Sequence, residues 1–283
     1  MTASGDWTGR VGDIWAEEWR RTDRSFADLA PRLDAAILAA APPGAFAALD
    51  LGCGAGATTA ALATARPDAA ITAVDLSRPL LAVARQRCAA LPHVHFHHGD
   101  ALSAAEAAAP LDLVLSRHGV MFFADPTAAF ARLDRAMAPG GALVFSCFAA
   151  QADNPWSLLV GPPDAPPGPF APGPFAPGPF APGPFAFAEP DRVAAWLAAA
   201  GWQAAQPVKI GFAYRVGEGD DPVADAIAFL GRIGPAARLM RDAAAADRAA
   251  MLARLRDRLA AQRNGSTIDF PAAAWIWSAR ARG

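Results

Sequence analysis

The sequence predicts an α/β protein built on a doubly wound, mainly parallel sheet of about seven strands, with N-terminal helices and a helical insertion. Between residues 45 and 148, five short apolar runs alternate with alanine-rich segments of helical length. Strands that alternate with helices pair in parallel, and the helices cover both faces of the sheet. Two more strand-like runs lie near the C-terminus, and a chain of 283 residues can bury a core of this size.

Apolar residues at helical spacing precede the first strand, namely Ile14, Trp15, Trp19, Phe26, Leu29 and Leu33. They predict two helices between residues 13 and 40, separated by a polar break at residues 22–25. The aromatic residues among them either cover a bound ligand or pack on the sheet. We favour packing, because aromatic stripes at helical spacing are usually core.

The strands of the parallel part follow one another at short intervals. They are AFAALDL (45–51), AITAVDL (70–76), VHFHHGD (94–100), LDLVLS (111–116) and ALVFSCF (142–148). After the last of them, between Gly161 and Ala186, lie three GPFAP units and a truncated fourth. Proline lacks an amide donor and fixes its own φ, so this stretch predicts an extended surface loop. Its P-x-x-P spacing is also read by proline-binding modules, but no basic residue flanks it.

Helix and strand patterns resume after the repeat. Residues 189–200 predict a helix that ends at Gly201, and VKIGFAYRV (208–216) predicts a strand. Residues 221–263 predict a helical insertion, interrupted near Gly234. AWIWSA (274–279) predicts a final strand beside VKIGFAYRV.

Charge and cysteine usage narrow the class of protein. With 25 basic and 27 acidic residues and no long run of one sign, the chain lacks the basic footprint of a nucleic-acid-binding protein. Its three cysteines form no C-x-x-C pair, which indicates free thiols in a reducing compartment. No signal-peptide pattern or membrane-spanning apolar stretch is present. We therefore expect a cytoplasmic protein that binds neither nucleic acid nor membrane, and its oligomeric state stays open.

The most informative segment is ALDLGCGAGATT (48–59), in which a strand runs into a glycine-rich turn and then a helix. Glycines tolerate positive φ and let a ligand approach the backbone. The helix start beyond them offers unpaired amides to an anionic group. The segment therefore predicts a site for a ligand that carries a carboxylate or a phosphate.

At these residues the sequence resembles the class I S-adenosylmethionine-dependent methyltransferases, whose first motif is an acidic residue followed by G-x-G-x-G. Asp50, Gly52, Gly54 and Gly56 match that motif. The resemblance extends from about residue 45 to residue 148. It implies a Rossmann-like methyltransferase fold, S-adenosyl-L-methionine as cofactor and methyl transfer to a small-molecule acceptor.

The resemblance also implies further cofactor contacts at later strand ends. Asp75 would bind the ribose hydroxyls, Leu76 would flank adenine, Asp100 and Ala101 would meet adenine, and Ser116 would line the methionine moiety. Pro139-Gly140-Gly141 matches the turn that precedes the family's fifth strand. The chain then divides into an N-terminal helical lid (1–44), an S-adenosylmethionine-binding core (45–160), a repeat loop (161–187) and the C-terminal part of the sheet (188–283), with the insertion at 221–263.

Two other functions stay open. Gly52, Gly54 and Ala57 also satisfy G-x-G-x-x-A, and Asp75 lies near the distance of a ribose-binding acid, so an NAD(P)-binding oxidoreductase is a weaker alternative. Asp50, Asp75 and Asp100 serve binding rather than chemistry, so a noncatalytic S-adenosylmethionine-binding protein is another.

Catalytic candidates follow the fourth strand, where ligands sit in open α/β sheets. His118 is the candidate general base, and its alternative is a packed loop histidine. Arg117 could hold an acidic acceptor through a forked contact or form an ion pair, for instance with Asp125. Residues 93–98 (HVHFHH) superficially suggest a zinc site, but the acid of such a motif is missing, so no metal is expected.

Overall fold

The computed structural model describes residues 7–161 and 182–282, and its strands form one sheet in the order β3-β2-β1-β4-β5-β8-β6, with β7 paired to β8. The strands are β1 (Phe46–Leu51), β2 (Ala69–Asp75), β3 (Val94–His98), β4 (Leu111–Arg117), β5 (Met137–Phe148), β6 (Gln203–Glu218), β7 (Arg263–Asn264) and β8 (Thr267–Arg280). Strands β1 to β5 pair in parallel, whereas β8 runs antiparallel to both β5 and β6. The predicted doubly wound, mainly parallel sheet is confirmed. The two-residue β7 is an addition to it.

Helices flank this sheet and cover its ends. They are α1 (Arg10–Glu17), α2 (Trp19–Ser25), α3 (Ala30–Ala40), α4 (Ala57–Ala65), α5 (Arg78–Arg87), α6 (Ala101–Ala108), α7 (Pro126–Ala136), α8 (Pro190–Ala200), α9 (Pro222–Leu230), α10 (Gly234–Asp242) and α11 (Ala245–Ala261). None of the helices in the described part of the chain has both the length and the apolar character that crossing a bilayer requires.

The N-terminal segment differs from its prediction, because within residues 7–45 three helices precede β1 in place of two. Residues 22–25, expected to be a break, form the end of α2. The chain bends one turn later, between Phe26 and Leu29, before Pro31 opens α3. Polar residues within a helical pattern were therefore mistaken for a loop.

The Pro139-Gly140-Gly141 segment also differs, since it lies inside β5 and not in a turn before it. The register with β4 shifts there, from Leu111 opposite Met137 to Leu113 opposite Ala142. Gly140 takes a positive φ of 73°. These residues form an irregularity at the exposed start of the strand.

The core of the sheet is made of aliphatic side chains on its central strands. Leu49, Ile71, Val114 and Leu143 are fully buried. Burial of each such side chain contributes about 1.5–3 kcal/mol. The packing holds β1, β2 and β4 rigidly, and their carboxyl ends carry the candidate site.

The helices that follow β2 and β3 begin at side-chain caps. Ser77 accepts a hydrogen bond from the Leu80 amide before α5, and Asp100 accepts one from the Ser103 amide before α6. Such caps satisfy donors that the helix itself leaves unpaired. They fix the loops between strand and helix at one edge of the sheet.

Most of the GPFAP repeat, including its predicted extended conformation, lies outside the described residues. The truncated copy is described and forms a turn in which the Ala186 amide donates to the Gly183 carbonyl. Phe185 is fully buried beside Phe148 and Trp156. The last copy is therefore packed into the protein core.

Candidate active site

A cavity of about 680 Å³ lies at the carboxyl ends of the parallel strands. The strand order reverses between β1 and β4, and such a switch point is where open α/β sheets bind ligands. The cavity is lined by the glycine turn, by the ends of β2 to β5, by α1 and α2, and by residues of α9 and α10. Its volume lies within the range of small-molecule pockets.

The glycine turn has the backbone conformation that the sequence predicts. Gly52, Gly54 and Gly56 take φ values of 65°, 54° and 75°, which favour glycine. A Cβ added to Gly54 would meet nothing within 4 Å, so this glycine faces open space in the cavity. The Gly54 amide donates to Oδ2 of Asp75 at 2.8 Å, which ties the turn to the end of β2.

The buried carboxyl group of Asp50 and the half-buried one of Asp75 face this end of the cavity. Asp50 is 1% exposed, and Thr59 donates to its Oδ2 at 2.5 Å. Burial raises the pKa of Asp50 to about 6. Burial also raises the pKa of Asp75, and this effect outweighs the backbone amides that donate to Asp75 and lower its pKa. A cationic group placed beside them would stabilise their ionised forms. The electrostatics therefore suit a positively charged ligand.

Leu76, Asp100 and Ala101 also line the cavity, as the family resemblance implies. Asp100 is exposed and uses its Oδ1 to accept from the Ser103 amide and hydroxyl, both at 2.9 Å. Its second carboxylate oxygen has no part in these bonds. Strand ends β1, β2 and β3 thus bring Asp50, Asp75 and Asp100 to one cavity.

Two of the predicted cofactor residues do not line the cavity. Gly56 begins α4 and faces α5, where an added Cβ would lie 2.9 Å from the Ala84 Cβ. Ser116 is fully buried, and its Oγ donates to the Leu51 carbonyl and accepts from the Gly119 amide. Both residues support the site by joining neighbouring elements.

His118 lies directly after β4 and lines the cavity. It takes a φ of 58°, which is unusual for a residue with a Cβ and is often found at functional sites. Its Nδ1 lies 2.9 Å from the Ser146 hydroxyl, and its Nε2 is buried without a hydrogen-bond partner. Burial, with help from Arg117, lowers the pKa of His118 to about 3. The ring is therefore neutral at cellular pH.

Arg117 forms an ion pair, but with Asp23 of α2 and not with Asp125. Its Nη2 lies 2.8 Å from Asp23 Oδ1, and Arg87 contacts the other oxygen of the same carboxylate. Arg87 also donates to the Ala55 carbonyl of the glycine turn at 2.8 Å. Asp23 thereby joins α2 to two elements of the site.

An aromatic wall closes the other end of the cavity. We use this name for Phe26, Phe148, Trp156 and Tyr214. The Trp156 and Tyr214 rings stack at 4.5 Å, and Phe26 and Phe148 lie 4.7 Å and 4.4 Å from the His118 ring. Side chains of α9 and α10 continue this apolar surface, among them Phe229, Leu230, Ile233 and Pro235.

Sequence reasoning missed Asp23, Thr22 and most of the aromatic wall. The available signal for the first two was the polar group at residues 22–25, of which Thr22 and Asp23 line the cavity instead of breaking a helix. Trp15, Trp19 and Phe26 line the cavity as well, so packing alone does not describe them. Across residues 7–161 and 182–282, no group of three or more His, Cys, Asp and Glu side chains is placed to hold a metal ion.

Comparison with known proteins agrees with this geometry. Residues 48–141 match a family model described as a methyltransferase domain. Trans-aconitate 2-methyltransferase of Methylobacterium nodulans is 35% identical over 181 residues, which cover 62% of this chain and 65% of that protein. Malonyl-acyl-carrier protein O-methyltransferase of Halalkalibacterium halodurans is 34% identical over 105 residues, which cover 36% of this chain and 39% of that protein. The chain thus spans less than two thirds of the length of these relatives.

Solved structures share the architecture at low sequence identity. The YcgJ protein of Bacillus subtilis is 17% identical with a TM-score of 0.51, over 89% of this chain and 98% of that one. Phosphoethanolamine N-methyltransferase 2 of Haemonchus contortus, solved with S-adenosyl-L-methionine, is 15% identical with a TM-score of 0.53, over 97% and 58%. At these identities they show a common fold. Residues 48–141 thus match a methyltransferase domain, and they lie within a fold that a solved N-methyltransferase shares.

Proposed function

We propose that this protein transfers the methyl group of S-adenosylmethionine to a small-molecule acceptor inside the 680 Å³ cavity. One observation carries the proposal: the same cavity joins the glycine turn and its acids to a separate aromatic wall beside His118. The first end has the features of a cofactor site, and the second has room and surface for another molecule. Methyl transfer requires both molecules in one water-poor space.

The residues present fit the cofactor. Gly54 leaves open space where a side chain would stand, and the start of α4 offers backbone amides to a carboxylate. Asp50 and Asp75 favour a nearby cation because burial makes their own charges costly. When bound, S-adenosylmethionine would supply a methyl group attached to a positively charged sulfur. The acceptor would form a bond to the methyl carbon as the carbon–sulfur bond breaks, and the sulfur would leave without its charge.

His118 would meet the acceptor rather than the cofactor. When its Nδ1 carries the proton and donates to Ser146, the Nε2 lone pair is free to accept a hydrogen bond. A pKa of about 3 makes the ligand-free ring a weak base. We therefore assign it the task of orienting the acceptor's nucleophilic group. As that group becomes more acidic during transfer, its proton would pass to His118 Nε2. The aromatic wall excludes water.

Calorimetry with the purified protein tests this function. We expect S-adenosylmethionine and S-adenosylhomocysteine to bind with one site per chain, and Asp75→Asn to weaken both by about tenfold or more, because an ionised acceptor of hydrogen bonds is lost. Asp13→Asn removes an acid on the exposed side of α1 and serves as the control. Binding of NAD(H) or NADP(H) without binding of S-adenosylhomocysteine would overturn the proposal.

Turnover distinguishes an enzyme from a noncatalytic binding protein. Formation of S-adenosylhomocysteine in the presence of an acceptor, followed by mass spectrometry of the methylated product, is the expected result. Tight cofactor binding with no product from any acceptor that binds the cavity would favour the noncatalytic alternative.

A further inference from the structure

The charges that line the cavity are mainly negative. Among the lining residues that the structure describes, the acids are Asp23, Asp50, Asp75, Asp100 and Asp125, and the arginines are Arg117 and Arg132. Arg132 is paired with Glu106 at 2.7 Å. An acidic acceptor would therefore enter a negative field, and such a field suppresses wrong partners by like-charge repulsion.

Arg117 lines the cavity beside the aromatic wall, with its guanidinium 5.5 Å from the Phe26 ring centre. Its charge is already compensated, because Asp23 accepts from its Nη2 at 2.8 Å. Arg117 and Asp23 are 15% and 22% exposed, so solvent screens the pair only in part. A carboxylate on an acceptor would have to compete with this internal carboxylate.

Two residues that line the cavity have buried polar atoms without a partner at this end, and both of these atoms belong to uncharged groups. His118 Nε2 and Thr22 Oγ1 are both buried without partners, and both residues line the cavity. Thr22 stands one helical turn before Phe26, which contacts the His118 ring, so the two atoms belong to the same region. Buried polar atoms without protein partners are costly, so a water molecule or a ligand is expected to satisfy them.

The remaining surface at this end is aromatic. Tyr214 and Trp156 stack, and Phe26 and Phe148 meet the His118 ring at distances typical of aromatic pairs. Such walls bind flat, apolar rings through burial and edge or face contacts. The aromatic wall carries no positive charge that would bind a ligand with several carboxylates.

Building on the proposed function, we propose that the acceptor is an uncharged aromatic molecule with one hydrogen-bonding group, held between the aromatic wall and His118 Nε2. Asp23 disfavours acidic acceptors, because its ion pair with Arg117 keeps that arginine from binding an acceptor's carboxylate. The relatives named for trans-aconitate, a tricarboxylate, then differ from this chain in acceptor class.

Two probes with the same ring system test the acceptor class. The protein is saturated with S-adenosylhomocysteine, and calorimetry compares 2-naphthol with 2-naphthoate, in which a carboxylate replaces the hydroxyl. We expect 2-naphthol to bind about tenfold or more tightly than 2-naphthoate. Trans-aconitate should bind more weakly than either. Tighter binding of trans-aconitate or 2-naphthoate, or no binding of 2-naphthol, overturns the proposal.

An Asp23→Asn variant tests the part played by the internal carboxylate. It keeps the size of the side chain and removes its charge, so Arg117 becomes available to an acid. We expect the affinity for 2-naphthoate to rise about tenfold or more while that for 2-naphthol stays within about threefold. Asp13→Asn, which removes the same charge at an exposed position, should change neither.

The variant must retain S-adenosylhomocysteine binding and its circular dichroism spectrum to be informative, and the wild-type comparison decides the acceptor class without it. Unchanged 2-naphthoate affinity in a folded Asp23→Asn variant overturns the role of Asp23. If wild-type protein fails to bind S-adenosylhomocysteine, the proposed function fails, whatever the naphthalene probes do.

Discussion

At the scale of single residues, the glycine turn contains two kinds of glycine. Gly54 faces open space, whereas a Cβ at Gly56 would lie 2.9 Å from the Ala84 Cβ. We predict that Gly54→Ala costs about 1–2 kcal/mol of stability from its left-handed φ, yet weakens S-adenosylhomocysteine binding by about tenfold or more. Gly56→Ala should destabilise further, since the clash adds about 1–3 kcal/mol.

Denaturant unfolding and calorimetry on both variants check this pair. Each glycine variant is the control for the other, because both place a methyl group at a positive φ. Wild-type affinity in Gly54→Ala would contradict the assignment of that open space to the cofactor.

His118 links the site to the pH dependence of stability. Its pKa is about 3 in the folded protein and near 6.5 in an unfolded chain, so the unfolded state takes up the proton first as pH falls. This group therefore lowers the free energy of unfolding by about 1.4 kcal/mol per pH unit below pH 6.5 and towards pH 3.

The difference between wild type and His118→Gln isolates that contribution. Asp50 acts in the opposite direction between its ordinary value and about 6, because the folded state keeps its proton there, but it is common to both proteins. We predict that, in urea unfolding at several pH values, the free energy of unfolding falls less steeply with decreasing pH in His118→Gln than in the wild type. A difference that is flat from pH 6.5 to pH 4, or equal to that of the exposed His95→Gln, would contradict the buried neutral ring.

Some residues of the site could be predicted from the sequence, and others could not. The positions of the acids and glycines at the strand ends could be predicted because these positions depend on local order along the chain. Asp23 could not be, since its partner Arg117 lies 94 positions away and only the tertiary fold brings them together. The same holds for His118, which follows β4, and Ser146 of β5, which are 28 positions apart.

At the scale of elements, ion pairs fasten the N-terminal helices to the helical insertion. Asp225 of α9 accepts from both Arg21 and Arg24 of α2 at 2.7 Å. Glu18, which is 3% exposed, pairs with Arg232. These contacts hold α2, and with it Asp23 and Phe26, over the cavity.

Asp225→Asn should loosen this attachment. Burial raises the pKa of Asp225, but hydrogen bonds from the Glu218 amide, Arg24 and Arg21, together with the charge of Arg24, lower it by more. The pKa of Asp225 therefore lies below its ordinary value, and the ionised carboxylate stabilises the fold near neutral pH. We predict a loss of about 1–3 kcal/mol on unfolding in urea, and faster trypsin cleavage after the arginines of α2. Asp242→Asn is the control, because Asp242 is 62% exposed and its arginine contacts are long. Equal cleavage rates in the two variants would show that the attachment does not hold α2.

Elements differ in how well their own sequence predicts them. The strand, glycine turn and helix of residues 46–65 follow from local signals, and so does the helix that ends at Gly201 with a φ of 105°. The N-terminal break was misplaced because the polar residues of α2 face a cavity and other elements. Polar residues of a helix usually face solvent, whereas Thr22 and Asp23 of α2 line the cavity.

At the scale of the whole molecule, one hydrophobic core connects the parts that build the cavity. It includes Phe26 and Leu33 from the N-terminal helices, Ile71 and Val114 from the sheet, and Phe229 from the insertion. Shared burial of this kind makes a domain unfold as one unit. The covering helices are therefore part of the same cooperative structure as the sheet, despite their separation along the chain.

The tryptophans make this cooperativity measurable. Trp7, Trp15, Trp19 and Trp156, four of the eight tryptophans, line the cavity, so half of the tryptophans report on that region, whereas circular dichroism reports on all helices and strands. We predict that both signals give one coincident urea transition. S-adenosylhomocysteine at one hundred times its Kd should shift that transition as a whole by about 2.7 kcal/mol, since the ligand binds only when turn, strand ends and cover are assembled. A fluorescence change at lower urea than the circular dichroism change, and insensitive to the ligand, would contradict this: α1 and α2 would then open independently of a cofactor site formed by the sheet alone.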